Sequence, residues 1–284
     1  DGVLPRTPVS AQQFKWWKYP IEETFALPST KVGRKSRPNE IDLTATEEQS
    51  KVDDYGLEEP IPQSDIDNSP KGYDTIDHGA MQLTEYIQLD REKRTADLVF
   101  NAANYPSGNK VTLSGNDQWS AAHADSDPIA DITAGLAAAL IRPNVMVMGE
   151  EVWLKLQQHP KIVKAIHGNE GETGIVARKQ VAALFELEEV LVGLARVNTA
   201  KKGQTATIAR VWGKHCLLAH RNKLANTQRG ITFGFTAEFG TRVAGKRPDP
   251  DIGLRGGVRV RVGESVKELI VAGQAAYFIQ DAVA

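Results

Sequence analysis

The sequence predicts an α+β fold with an extended appendage at its N-terminal end. Three observations predict it. More than half of the 14 prolines lie at or before Pro70, in a region poor in apolar residues. An unbroken helical segment, Ile76 to about Ala103, follows. Beyond it, short helical stretches mix with runs whose apolar residues recur at every second position, the period of a half-buried strand.

At 284 residues the chain is long enough for one large domain or two smaller ones. It can bury a core without disulfides, and its single cysteine, Cys216, has no internal partner. A formal net charge of -2 gives no global basic field of the kind that advertises nucleic-acid binding. The most apolar run, Ile132 to Ile141, stops at Arg142 and Pro143, far short of the roughly 20 residues that cross a bilayer. The opening DGVLPRTPVS lacks the basic-then-apolar order of a signal peptide.

The leading 70 residues are not filler. They carry Phe14, Trp16, Trp17, Tyr19 and Phe25, and disordered tails are usually poor in aromatics. Glu22 to Leu27 reads as an extended strand. A tip follows, PSTKVGRKSRPNE, with Lys31, Arg34, Lys35 and Arg37 around Gly33. Ile41, Leu43 and Ala45 then alternate with Asp42 and Thr44, which predicts the returning strand. Thr24 to about Tyr55 is thus expected to form a two-stranded arm reaching roughly 30–45 Å at about 3.3 Å per residue. An isolated hairpin is marginal in water. Its aromatics need another surface, either their own domain or a neighbouring copy, and the sequence favours the neighbour.

The long helix changes its apolar stripe partway. Ile76, Ala80, Leu83 and Ile87 share one face, but the same face continues as Asp90, Arg91, Arg94 and Asp97. Leu89, Ala96, Val99, Phe100 and Ala103 point nearly the opposite way. The helix is expected to touch different surfaces along its length. Its charged run is read either as solvated or as a contact with another subunit. Asp90 and Arg94, four apart, support the helix locally by about 0.2–0.5 kcal/mol.

In the middle of the chain, Asp127 is a predicted N-cap with Pro128 at the first helical position, opening a helix through ADITAGLAAAL. Val145 to Met148 reads as a buried, central strand. Gly149 turns the chain, and Glu150 and Glu151 sit in the first turn of the next helix, where carboxylates suit the dipole. That helix buries Val152, Trp153 and Leu156. Pro160 opens another, burying Ile162, Val163 and Ile166. A helix from Arg178 to Leu187, a strand from Glu188 to Asn198, and the basic loop TAKKGQT with Lys201 and Lys202 follow. This loop is either solvated or a contact.

The end is strand-rich. Ile231, Phe233, Phe235, Ala237 and Phe239 fall on one face of a half-buried strand. VRVRV, Val258 to Val262, puts Arg259 and Arg261 together on its outer face, to meet phosphate, a partner carboxylate or solvent. RVAGKRPDPDIGLRGG between them reads as a long loop.

No motif for catalysis emerges. His159 and His167 straddle a proline and share no regular helical face, unlike HExxH. GNEGETG, 168–174, lacks the GK[ST] end of a phosphate loop. His215, Cys216 and His220 lie along a predicted strand, where neighbours face opposite ways and a lone buried cysteine is a small apolar filler. No GxSxG occurs. No cofactor or metal is expected, and the chain is read as not being an enzyme.

Six stretches carry a resemblance: LEEPIP at 57–62, LDREKRTADLVFNAANY at 89–105, DPIADI at 127–132, NVMVMGEEVWLKLQQHPKI at 144–162, VNTAKKGQTATIARVWGKH at 197–215 and DPDIGLRGGVRVRVGESVKELIV at 249–271. In this order, over nearly the whole chain, the sequence resembles the major capsid proteins of tailed double-stranded DNA bacteriophages, with the Hong Kong 97-type fold. The resemblance implies an N-terminal arm over 1–23, an extended E-loop over 24–60 and a peripheral domain with its spine helix over 61–126. An axial domain over 127–230 follows, and residues 231–284 return to the peripheral strands and then the axial sheet.

It implies self-assembly into hexamers and pentamers of an icosahedral head, and a virion location after assembly in the bacterial host cytoplasm. Double-stranded DNA would be packaged on the inner face without sequence specificity, and no membrane is involved. Scaffold, portal and decoration proteins are implied as further partners, and scaffolding could come from a removed segment or a separate chain. Some relatives form a lysine–asparagine crosslink, but no matching pair is identified here. Inter-subunit contacts are expected at the five aromatics, the four tip cations, Asp90, Arg91, Arg94, Lys201, Lys202, Arg259 and Arg261. The alternatives are an encapsulin-like compartment and, more distantly, a soluble hydrolase.

Overall fold

The computed structural model describes residues 1–18, 25–41, 44–121, 123–168, 174–228 and 230–284. Two five-stranded sheets organise it. The first is built around β13 (Gly257–Ile270), whose even-numbered positions from Val258 to Ile270 share one face. β4 (Asp53–Pro62) and β12 (Val243–Asp249) both pair antiparallel with Gly257 to Gly263, so they flank β13 on opposite sides. β11 (Gly234–Phe239) pairs with the later part of β13, and β1 (Arg6–Val9) runs parallel beside β11.

The second sheet has the order β5 (Lys110–Thr112), β14 (Ala276–Gln280), β10 (Cys216–Ala219), β6 (Val145–Gly149), β7 (Glu189–Gly193). β6 is buried throughout, as its unbroken apolar run predicts. Met146 and Met148 join the core on one side of the sheet, and Val145 and Val147 join the core on the other. β6 is an interior strand next to the edge strand β7. Helices α3 (Pro128–Ala138), α4 (Glu150–Leu156), α5 (Pro160–His167) and α6 (Arg178–Leu184) supply the first of these cores with Ile132, Val152, Ile162 and Val181. Asp127 caps α3 by accepting from the backbone N–H of Ile129 and Ala130, with Pro128 opening the helix.

The predicted strand over Glu188–Asn198 divides between two sheets: β7 ends at Gly193, and β8 (Arg196–Asn198) forms a two-stranded ribbon with β9 (Ile208–Arg210). The predicted loop before Gly257 is partly β12. Its Gly245 and Pro248 disguised it, and an edge strand tolerates proline because one side of its backbone needs no ladder partner. Ile231–Phe239 is strand only from Gly234, and it is buried on both faces. Phe233 joins the core of the second sheet, while Phe235 and Ala237 join a separate cluster.

Two more helices complete the chain. α1 (Gln63–Asp67) is short, and α2 (Thr75–Val99) is the predicted long helix, ending a turn before Ala103. Its first half lays Leu83 and Ile87 on Ile61, Val260 and Val262 of the first sheet. Its end puts Ala96 and Val99 into the core with Val147, Leu217 and Phe278 of the second. One helix therefore joins the two sheets, which is why its apolar stripe changes face.

The arm departs from expectation. The paired strands are β2 (Gln13–Lys18) and β3 (Thr46–Lys51), not Glu22–Leu27 and Ile41–Ala45. Of the predicted strands, 25–27, 41, 44 and 45 are not in strands, and the remaining positions lie outside the described residues. TEEQSK carries no apolar alternation, so β3 was invisible to a search for it; its pairing with β2 is what makes it a strand. Phe14 and Trp16 are 7% and 8% exposed and pack with Val52, Phe235 and Ala237 of the same chain. Trp16 Nε1 donates to Ser50 Oγ at 3.2 Å. These two rings do not need a neighbouring copy.

Candidate assembly interface

A surface that joins copies must be free in the single chain, so the charged groups divide into those already satisfied and those left open. The satisfied ones cluster where α2 crosses β13. Glu264 and Glu268 lie on the same face of β13 as Val260, Val262 and Val266, and both are buried. The charged continuation of the α2 stripe meets them there. Arg91 Nη1 is 2.7 Å from Glu264, Arg6 Nη2 is 2.8 Å from it, and Arg94 Nη2 is 3.1 Å from Glu268. Arg94 also pairs with Asp90, as the four-residue spacing predicts, and its guanidinium sits 3.6 Å from the Tyr55 ring centroid. Burial pushes the Glu264 carboxyl up, but the hydrogen bond from Arg6 and the charge of Arg91 more than offset it, leaving it below its ordinary value. Arg91 and Arg94 therefore make ties within the chain. Apolar pattern breaks on α2 and on β13 face each other.

Arg259 and Arg261 also have partners within the chain. Both lie beside Glu58 of β4, with Arg261 Nε at 2.6 Å and Arg259 Nη1 at 3.5 Å, and Arg259 pairs as well with Asp249 of β12. These are cross-strand pairs within one sheet. The Arg259 guanidinium holds Asp249 below the usual carboxylate range, and the hydrogen bond from Arg261 does the same for Glu58. Arg6, Glu58, Glu264 and Glu268 are the ionic residues that sequence reading overlooked. For Glu264 and Glu268, the signal that could have found them is charge on the otherwise apolar face of β13.

The histidines and Glu150–Glu151 have structural work. His159 is the N-cap of α5, its Nδ1 accepting from the Lys161 N–H at 3.3 Å and its Nε2 lying 3.1 Å from Ser126 Oγ. His215 Nδ1 accepts from the Asp281 N–H at 3.0 Å. Glu150 and Glu151 hold Arg210, tying β9 to the start of α4. Cys216 is buried, and burial pushes its thiol far up, which suppresses the nucleophilic thiolate. Of the GNEGETG stretch, 169–173 lie outside the described residues.

The open groups lie elsewhere. Every residue from 25 to 41 is exposed. Phe25 is 53% and Leu27 97% exposed. Lys31, Arg34, Lys35 and Arg37 have no ion-pair partner among the described residues, and the Ser36 N–H to Gly33 carbonyl bond forms a local turn at the tip. Trp17 remains 37% exposed, and Tyr19 lies outside the described residues. Lys201 and Lys202 stand exposed on the turn between β8 and β9. No helix among the described residues is long and apolar enough to cross a membrane.

Comparison with known proteins identifies the family. The family described as phage major capsid protein E matches residues 86–240. The major capsid protein of Pseudomonas phage JBD67 is 50% identical over 284 residues, covering all of this chain and 91% of the relative. That of Burkholderia phage BcepMu is 32% identical over 227 residues, 76% of this chain and 70% of the relative. A phage-related protein from Bordetella bronchiseptica RB50 superposes with a TM-score of 0.74 at 23% identity, covering 99% of this chain and 90% of that one. The fold is the Hong Kong 97-type α+β capsid fold found in solved phage capsids. An encapsulin shares that fold, so fold alone does not separate the two kinds of shell; the sequence relatives do. Those relatives are structural proteins, not enzymes. An identity of one half along the whole length, with the capsid fold beneath it, leaves one assignment: the chain belongs to the phage major capsid protein E family.

Proposed function

We propose that this structural protein of the virion joins its neighbours chiefly through the loop 25–41, acting as an E-loop laid on the next copy in a hexamer or pentamer. The chain self-associates into the icosahedral shell of a phage, and the loop is the part of it with least to do within a single chain. The observation that carries the reading is that every residue from 25 to 41 is exposed, with Leu27 and Phe25 among them. An aliphatic side chain left wholly in water forgoes about 1.5–3 kcal/mol, which an acceptor surface would recover. Trp17, Lys201 and Lys202 are the other predicted contacts that remain free.

The domain division proposed from the resemblance has structural support. β2 and β3 root the E-loop beside β11, and the first sheet with α2 corresponds to the peripheral domain. The second sheet corresponds to the axial domain, which the tail rejoins through β14. Copies meeting around a closed shell multiply modest contacts. Scaffold, portal and decoration proteins, and sequence-independent contact with packaged double-stranded DNA, belong to the same proposal, as does assembly in the host cytoplasm. Removing 28–39 is expected to leave a folded chain with the parent melting temperature that forms few closed shells. Normal particles from that deletion in electron micrographs would overturn the E-loop role.

A further inference from the structure

We infer that the cleft between α2 and the outer edge of β7 binds an extended peptide segment of another protein, which adds to β7 as a further strand. The cleft holds about 380 Å³ and is lined by every residue of β7, Glu189 to Gly193. Successive side chains of a strand point to opposite faces, and Val190 and Leu191 enter the cores on the two sides of the sheet. A cleft that touches all five residues therefore runs along the strand's edge rather than across one face. β7 ends its sheet and pairs, among the described residues, with β6 alone. No hydrogen bond from outside the sheet reaches the backbone of 189–193 among the described residues. Its outward N–H and C=O groups form a template roughly 13–17 Å long for one more strand.

The helical wall offers further partners. Thr95 is 7% exposed and lines the cleft, and its hydroxyl has no hydrogen bond among the described residues. A buried hydroxyl is normally paired, and only the cleft is left to supply its partner. Gln88 lies two turns earlier on the same face, exposed, and its side-chain amide has no hydrogen bond among the described residues either. The lining charges do not call for an ionic ligand. Arg91 is held by Glu264, Glu189 pairs with Arg221 at 3.0 Å, and Glu92 accepts from Trp212 Nε1 at 2.6 Å. The carboxylates of Glu92 and Glu189 repel a polyanion, whereas a peptide backbone is neutral and matches the alternating donors and acceptors of an edge. The exposed connections of this chain are committed elsewhere. Loop 25–41 is proposed to lie on the next copy, and the cleft itself is independent of that reading. The turns after β8 and β12 are closed by their own bonds, Thr199 N–H to the Thr207 carbonyl and Asp251 N–H to Asp249 Oδ1, both at 2.9 Å. The occupant is therefore a strand from a different chain.

The test selects binders to the unassembled full chain from a yeast-displayed library of random heptapeptides. Enriched peptides are expected to slow hydrogen exchange at alternate amides of 189–193 by at least about tenfold. N-methylation of one alternate set of peptide nitrogens should weaken binding at least about tenfold, and of the other set much less, because only one set faces β7. Thr95→Val should weaken binding about two- to tenfold without lowering the melting temperature, since the hydroxyl is unused within the chain. Gln88→Trp, crowding the cleft from an exposed position, should abolish the protection. A library that yields no peptide protecting 189–193 would overturn the inference, as would equal binding by both N-methylated forms. Unchanged affinity in Thr95→Val and Gln88→Trp together would place the binding elsewhere and overturn the cleft. A synthetic peptide of residues 25–41 that protects 189–193 as strongly would make the occupant a second copy and overturn its assignment to another protein.

Discussion

Arg91 Nη1 stands 2.7 Å from both carboxylate oxygens of Glu264, fastening α2 to β13. Arg6 reaches the same carboxylate from the N-terminal strand, and Arg242 Nε lies 3.5 Å from it. Glu264→Ala leaves these guanidiniums without their shared counter-ion. Breaking a buried pair by removing one partner costs about 3–5 kcal/mol. The expected result is a marked fall in the denaturant midpoint of the unassembled chain; an unchanged midpoint would show that solvent replaces the carboxylate freely.

The same carboxylate sets an acid limit. Its folded pKa lies below the ordinary value of 4.5, so its stabilisation is complete above that value. The stabilisation is lost as pH falls through the depressed folded value. Wild type should therefore lose more stability than Glu264→Gln on acidification below about pH 4.5. Parallel acid titrations of the two, followed by circular dichroism, check this.

Phe14→Ala and Phe25→Ala should behave oppositely. Phe14 is packed inside its own chain, and truncating such a ring costs about 3–5 kcal/mol of folding stability. Phe25 is half exposed, so its removal should leave the melting temperature of the free chain within about 1 °C while reducing assembly. Equal melting curves for the two variants would contradict the internal placement of Phe14.

Gly149, at the junction of β6 and α4, is required for space. A Cβ there would lie 2.0 Å from the Gly213 carbonyl oxygen, a backbone atom that cannot swing aside. Gly149→Ala forces the two segments apart and should cost at least about 1–3 kcal/mol. Thermal melting measures it.

His159 caps α5 as a neutral ring. Burial, and then the charge of Lys161, lower its pKa, with Asp127 opposing. The unfolded chain therefore binds more protons between the folded value and the ordinary 6.5, so stability rises with pH through that window and is complete above 6.5. His159→Ala should cost about 0.5–2 kcal/mol at neutral pH, and His159→Asn less, because Asn supplies a cap acceptor. Loss of the pH slope in both variants, by denaturant titration, would tie the slope to this ring.

Local signals carried most of the fold. Asp127–Pro128 announced α3, the unbroken apolar run of Val145 to Met148 announced a strand covered on both sides, and Glu150–Glu151 marked the start of α4. What stayed hidden depends on distant partners. β3 has a polar face on each side and exists through β2, and β12 lies at an edge where glycine and proline are tolerated. The candidate site was half legible. The cations at 31–37 stood out, whereas Arg91, Arg94, Arg259 and Arg261 looked free because their carboxylates, Glu264, Glu268 and Glu58, lie far away in sequence. The interrupted stripe of the long helix was read but unexplained, and the matching break at Glu264 and Glu268 in the period-two stripe of β13 went unread. Their charges match when the stripes cross, and that crossing is a property of tertiary structure.

β12 presents Val243 to Pro248 openly at the rim of the first sheet, with a ladder partner on one side among the described residues. Such a bare rim invites the wrong kind of growth, sheet added to sheet without end, and a protein that gathers in many copies meets that hazard constantly. Lys246 and Arg247 place like charge against any identical rim, and Pro248 withholds a backbone donor. Charge and proline on a sheet edge disfavour such growth, which leaves closure into a container of finite size unopposed by it.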